Sequence, residues 1–212
     1  MFKKFMDALG LTSNKISDLV KESNHYINAE ENVTKDINKT MTALKSYAET
    51  ETPSLGEAIN SLAQTFEIIE IERKEKVSKL REQYIAPLNN LIAHLKRLQT
   101  EQDEATKAVK EVEKAEKTLS KAQSKPNEKL KPGEIESAET ALKAAKQKAK
   151  KEENDAKTAA EEFNKVKLET IQKVLRNMVE IEKLYHEKIL TAISNVKQKA
   201  EAIKIEEESK IA

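Results

Sequence analysis

Cysteine is absent from the 212 residues, glycine occurs three times, proline four times, and aromatic residues make up 4%. The missing cysteine excludes disulfides and thiol catalysis, and it fits the cytosol. No apolar run approaches the ~20 residues of a membrane-spanning helix, and no signal-peptide core precedes a cleavage site, so the sequence reads as that of a soluble protein. Motifs that carry chemistry are missing as well: there is no glycine-rich phosphate loop, no paired His or Cys set for a metal, and no nucleophile motif. His25, His94 and His186 are scattered, and L-Y-H-E-K at Leu184 to Lys188 lacks the second histidine of a zinc-protease helix. The expectation is a protein that is not an enzyme and holds no cofactor.

What is there is alanine, glutamate and lysine, with 35% charged and 38% hydrophobic residues. Such a composition marks long helices and coiled coils, which bury a long thin core in place of a spherical one. The formal net charge of +1 says little about partners, because the position of the charges matters more.

From Leu55 to Ala122, apolar residues recur at alternating steps of three and four: Leu55, Ile59, Leu62, Phe66, Ile69, then Leu80, Tyr84, Leu88, Leu91, Leu95, Leu98, Ala105, Val109, Val112 and Leu119. This seam predicts one helix over about 54–123, on the order of 100 Å long at ~1.5 Å per residue. Pro87 lies inside it and deprives the Gln83 carbonyl of its donor. The seam keeps its register on both sides, so the helix is expected to bend there without breaking. A first helix over about 13–49 is marked by Ile16, Leu19, Tyr26, Val33, Ile37, Leu44 and Tyr47. T-E-T-P-S then turns the chain, with Ser54 and Glu57 spaced as a capping box. Pro126, Pro132 and Gly133 break the long helix into a loop, and a third run over about 134–207 returns along it. The expected fold is all-α: a three-helix antiparallel coiled coil with two long kinked helices, a single domain over 12–212.

Residues 1–11 form a separate amphipathic segment, with Phe2, Phe5, Met6 and Leu9 on one face, Lys3 and Lys4 elsewhere, and Gly10 placed to end it. Two readings stand. The segment folds on a lipid surface with the four apolar residues inserted and the lysines at headgroups, or it docks on the bundle as a first turn.

Residue size divides the seam. Near the loop it is mostly alanine, as suits a thin arm of two helices. Near the chain ends, Phe66, Ile68, Ile69, Ile71, Leu175, Met178, Val179 and Ile181 make a stripe too broad for three helices to cover. A homodimer is expected through that stripe, with Phe66, Ile69, Met178 and Ile181 at its interface. Between Lys107 and Lys151 stand thirteen lysines and no arginine against seven glutamates, a local balance of +6. The basic arm is either a surface for anionic lipid or a solvated hairpin kept soluble by its lysines. Nucleic acid is not expected as a partner, since the segment lacks arginine and stacking aromatics.

Y-I-A-P-L-N-N-L at Tyr84 to Leu91 and L-Y-H-E-K-I-L at Leu184 to Leu190 stand in a chain with an amphipathic start, a short helix, two long helices and a basic tip. In these features the chain resembles a BAR domain, most closely the amphiphysin and endophilin type with an amphipathic N-terminal segment. The resemblance implies a crescent-shaped antiparallel dimer with a helix kink at Pro87, binding anionic phospholipid membranes through its concave side and arm tips. The lysines that it makes headgroup contacts are Lys114, Lys117, Lys121, Lys125, Lys129, Lys131, Lys143, Lys146, Lys148, Lys150 and Lys151. Interspersed Glu113, Glu116 and Glu139 would weaken that contact or confine it to the tip. No module that binds proline motifs is expected after the last helix. The implied role is a cytoplasmic scaffold, peripheral on membranes, that senses or generates curvature in endocytosis or vesicle trafficking. The alternatives are a helical adaptor that docks a small GTPase or another protein, and a purely structural coiled coil.

Overall fold

Long runs of good helix formers with few breakers give helices that end only where proline, glycine or a lost seam forces them to. The computed structural model describes the backbone of residues 2–126 and 129–210, and the side chains from residue 15 onward except 127, 128, 207 and the last two. α1 spans Phe2–Ala48 and α2 spans Pro53–Leu80. A π turn, Arg81–Ile85, leads directly into α3, Ala86–Gln123. α4 spans Glu134–Glu201, and a single-turn α5 spans Ile205–Glu208. The three predicted helical stretches are thus present, and no strand occurs among the described residues. Gly10 lies inside α1 instead of ending a separate segment; a glycine costs a helix ~1 kcal/mol but does not force it to stop. The side chains of Phe2, Lys3, Lys4, Phe5, Met6 and Leu9 lie outside the described residues.

The chain forms two compact units, residues 1–89 with 170–212, and residues 90–169. In the first, α1, α2 and the last part of α4 enclose a core of Ile27, Val77, Leu80, Ile85 and Ile181, against which Tyr84 and Met178 pack. In the second, α3 and α4 pair as a hairpin. Leu91, Leu95, Leu98, Ala105, Ala108 and Ala122 supply its buried residues on α3, and Ala138, Ala156, Ala160 and Phe163 those on α4. The hairpin loop turns at Gly133, whose φ of 73° is open to glycine at no steric cost.

The expected capping box is not formed. Pro53 takes the first helical position, for which its fixed φ is suited, and this makes Thr52 the N-cap, not Ser54. Glu57 pairs with Lys199, and the Ser54 N–H donates to Glu208 Oε1 at 2.7 Å. α4 ends at Glu201, six residues before the expected end, and a turn through Ala202 to Lys204 brings Glu208 to that position. Gly56 in the first turn of α2 packs beside the end of α1, where a Cβ would stand 3.0 Å from the Ala48 carbonyl oxygen.

At Pro87 the helix continues. The π turn ends two residues before the proline, and the Ala86 N–H donates to the Arg81 carbonyl five residues back. The Gln83 carbonyl, which a proline at 87 cannot serve, accepts from Asn177 Nδ2 of α4 at 2.9 Å. A side chain of the neighbouring helix therefore supplies the donor that the proline lacks. Asn177→Ala is expected to cost about 1–2 kcal/mol, and clearly less in a Pro87→Ala background, where the backbone can supply its own donor. Urea unfolding of the four proteins in the cycle measures the coupling. Additive losses would mean that Asn177 acts by packing alone.

Candidate functional site

The arm formed by residues 90–169 owes its charge pattern to the helix repeat. On α3, Ala105, Ala108, Val112, Ala115, Leu119 and Ala122 are buried or half-buried, and on α4 so are Ala138, Leu142, Ala145, Ala149 and Ala156. These residues occupy the a and d positions of both helices. In an antiparallel pair, e positions then meet e positions on one flank, and g positions meet g positions on the other. Three ion pairs follow this pattern. Glu116–Lys146, at 3.0 Å, closes the first flank. Glu111–Lys148, at 3.0 Å, and Lys125–Glu134 close the second.

The charges fall unequally on the two flanks. The first carries Lys143, Lys146 and Lys150 together with Glu113, Glu116, Glu136 and Glu139. The second carries Lys107, Lys114, Lys121, Lys125, Lys148 and Lys151, and among the described residues of 107–151 only Glu111 and Glu134 oppose them. Lys110 and Lys117 lie on the back of α3, and Lys129 and Lys131 in the loop. All eleven lysines singled out from the sequence are exposed. Lys125, Lys146, Lys148 and Lys151 are engaged in ion pairs, the last with Asp155 at 3.9 Å. Lys114, Lys117, Lys121, Lys129, Lys131, Lys143 and Lys150 make no ion pair among the described residues. The basic surface is thus one flank of the arm and its loop. The other flank, close to neutral, holds an open groove of 420 Å³ floored by Leu119 and Leu142.

In the unit that contains both chain termini, the predicted interface quartet divides. Ile181 is 4% exposed and belongs to the protomer's own core, with Met178 packed against that core. Ile181 is therefore buried inside the protomer. Phe66 and Ile69 are half-buried, whereas Ile68, Ile71, Leu175 and Val179 of the same broad stripe are exposed, as are Leu190 and Ile193 further along α4. A second apolar row stands on α1 at seven-residue spacing, through Leu19, Tyr26 and Val33.

A charged cluster at the centre of this unit escaped the sequence reading. The side chain of Lys76 on α2 is only 3% exposed, and its Nζ lies 2.9 Å from Glu30 of α1 and 2.9 Å from Glu182 of α4. Arg73 pairs with the same Glu30, and Tyr26 donates to Glu182 at 2.6 Å. The ammonium lies 4.7 Å from the centre of the Tyr185 ring. Burial alone would lower the Lys76 pKa, but hydrogen bonds to Glu182, Tyr26 and Glu30 outweigh it and hold the group above its usual 10.5. Burial would likewise raise Glu30, and the hydrogen bond and charge of Lys76 with the charge of Arg73 reverse this, leaving it lowered. A signal for the cluster exists in the sequence. The seam of the long helix skips from Ile69 to Leu80, and Arg73 and Lys76 occupy the two missing seam positions. The cluster joins three helices, and within it the Arg73 Nε is buried without a hydrogen-bond partner among the described residues. Among the described residues no group of acidic and histidine side chains could hold a metal ion, and no helix is long and apolar enough to cross a membrane.

Residues 2–210 match the FAM92 family, described as FAM92 protein. The chain is 25% identical over 169 residues to the CBY1-interacting BAR domain-containing protein 1-B of Xenopus laevis, an overlap covering 79% of this chain and 58% of the frog protein. It is 23% identical over 213 residues to the CBY1-interacting BAR domain-containing protein 1 of Mus musculus, covering 99% of this chain and 72% of the mouse protein. The matched part is therefore little more than half of the frog relative's length. Among solved structures, the amphiphysin BAR domain from Drosophila superposes with a TM-score of 0.77 at 15% identity, covering 94% of this chain and 90% of that one. The Hof1p F-BAR domain superposes with a TM-score of 0.57 at 9% identity, covering 99% and 90%. At these identities the superpositions establish the fold: a BAR-type helical bundle.

Proposed function

The chain belongs to the FAM92 family, and on that footing we propose that it is a membrane-curvature scaffold that acts as a homodimer, peripheral on the cytoplasmic side of anionic membranes. The observation that carries this reading is the uneven arm. Six lysines face two glutamates on one flank of a slender hairpin, and the loop sequence adds two more lysines against Glu128. Each lysine held near an anionic surface contributes on the order of 1 kcal/mol, so a flank of this kind binds phospholipid without a pocket. Phe2, Phe5, Met6 and Leu9 are the insertion residues, and Lys3 and Lys4 their headgroup partners. The exposed rows through Ile68, Ile71, Leu175 and Val179, together with the half-buried Phe66 and Ile69, are the surface for the second protomer.

Co-sedimentation with vesicles containing anionic lipid tests the reading. Binding is expected to fall steeply between low and high salt and to vanish on neutral vesicles, because exposed charges are screened over ~10 Å at 0.1 M salt. In Phe2→Ser/Phe5→Ser, attachment is expected to persist while tubulation weakens, each inserted ring being worth roughly 1.5–3 kcal/mol regardless of salt. Failure of the wild-type chain to bind anionic vesicles at low salt would overturn the proposal. A second reading, a helical adaptor for a protein partner, is supported by the names of the frog and mouse relatives, which describe them as interacting with CBY1. A small GTPase is a further candidate partner under that reading.

A further inference from the structure

The turn from α1 to α2 reads Glu49-Thr50-Glu51-Thr52-Pro53-Ser54, and the far end of the chain closes over it. Thr52 Oγ1 donates to Glu208 Oε2, the Ser54 N–H donates to Glu208 Oε1 at 2.7 Å, and Ser54 Oγ accepts the Lys204 N–H at 3.0 Å. Thr52, although it is the N-cap, makes no capping bond with its own side chain. A carboxylate more than 150 residues away does that work, on the positive end of the α2 dipole. Hydrogen bonds from Thr52 and Ser54 draw the Glu208 carboxyl down to about 2. The start of α2 therefore selects an anion, and the chain provides one.

Thr52 also precedes a proline, and its φ of −60° and ψ of 154° hold the dipeptide extended. An extended Thr-Pro is the substrate form of proline-directed protein kinases. We propose that Thr52 is a phosphoacceptor for a proline-directed kinase, and that its phosphate displaces Glu208 from the start of α2 and releases the segment 202–209. In the transfer, Thr52 Oγ1 bonds to the γ-phosphorus of ATP, the bond to the ADP oxygen breaks, and the hydroxyl proton passes to a base of the kinase. The product no longer has the O–H that held Glu208, and it carries close to two negative charges. Placed at the N-cap, the phosphate reaches the Ser54 amide as a capping side chain does, so it takes the donor that Glu208 used and repels the carboxylate. α5 is a single turn, closed by the Glu208 and Ser209 amides bonding to Lys204 and Ile205, and a helix this short depends on ties such as the one through Glu208.

The experiment uses the full chain with ATP and a purified proline-directed kinase. Mass spectrometry locates the phosphate, and amide hydrogen exchange follows residues 202–209. Phosphate is expected on Thr52 and not in Thr52→Val, and exchange at Glu208 and Ser209 is expected to rise by about tenfold or more on phosphorylation, the scale of losing charged hydrogen bonds. Glu208→Gln leaves the acceptor intact and weakens the tie, so it is expected to be phosphorylated several-fold faster than wild type. No phosphate on Thr52 in either protein overturns the site. Phosphate on Thr52 with unchanged exchange across 202–209 overturns the displacement.

Discussion

Lys76→Met is expected to lower the unfolding free energy by about 3 kcal/mol, the scale of leaving buried charges without their partner. Methionine is unbranched and reproduces the lysine stem up to its last carbon, so packing along the stem changes little, but Glu30 and Glu182 lose the ammonium that stands between them. Among the described residues, Glu30 keeps Arg73, whereas Glu182 keeps only the Tyr26 hydroxyl and an exposed His186 at 3.6 Å. The Lys76 pKa is raised on folding, so the stabilisation is fully present below the usual 10.5 and is lost only as pH climbs through the higher folded value. The mutant deficit should therefore be flat across neutral pH. Replacing Lys76, Arg73, Glu30 and Glu182 together with apolar residues of similar size should recover much of the loss, because removing the whole buried ionic group spares its desolvation. Urea unfolding at pH 7 reads both numbers, and a single-mutant loss below about 1 kcal/mol would mean that water reaches the glutamates.

Two triple mutants with identical change in charge are expected to differ by about two orders of magnitude in membrane affinity. Lys107→Gln/Lys114→Gln/Lys121→Gln strips the basic flank of the arm, where few glutamates offset the loss. At on the order of 1 kcal/mol per lysine, this amounts to roughly a hundredfold weaker attachment per arm at low salt. Lys143→Gln/Lys146→Gln/Lys150→Gln removes three lysines from the opposite flank, where Glu113, Glu116 and Glu139 already cancel most of their field. That variant should bind nearly as wild type. Neither triple touches a seam residue, so thermal unfolding serves as the control for folding. Equal weakening of both would remove the assignment of the membrane to the flank of Lys114 and Lys121.

The helices and the loop were legible because a 3.6-residue period and a few breakers determine them. Leu91, Leu95 and Leu98 lie buried where the seam placed them, and α3 ends before Pro126 while the chain turns at Gly133. The cluster around Lys76 was not, since lysine and arginine on a charged helix are nearly always solvated. Only the two-residue gap in the seam set them apart, and only the other two helices could bring carboxylates to them. Asn177 was invisible for a related reason: its role depends on an orphan carbonyl on a different helix. The burial of Ile181 in the protomer's own core was not legible either, because a stripe's breadth says that extra partners exist, without saying whether the third helix of the same chain is one of them. The Glu208 cap joins positions over 150 residues apart, and no local pattern announces it.

The run of buried alanines in the arm has a consequence for cooperativity. An alanine has no side-chain rotamers to freeze when helices meet, and it brings little apolar area, so each layer of the hairpin is cheap to close and cheap to open. Leu91, Leu95, Leu98 and Phe163, by contrast, bury large side chains at the far end from the loop. Opening of this unit should therefore begin at the loop and progress as a graded unzipping, layer by layer, toward the leucines. The arm is thus able to lend its loop end to a binding event without disturbing the rest of its length.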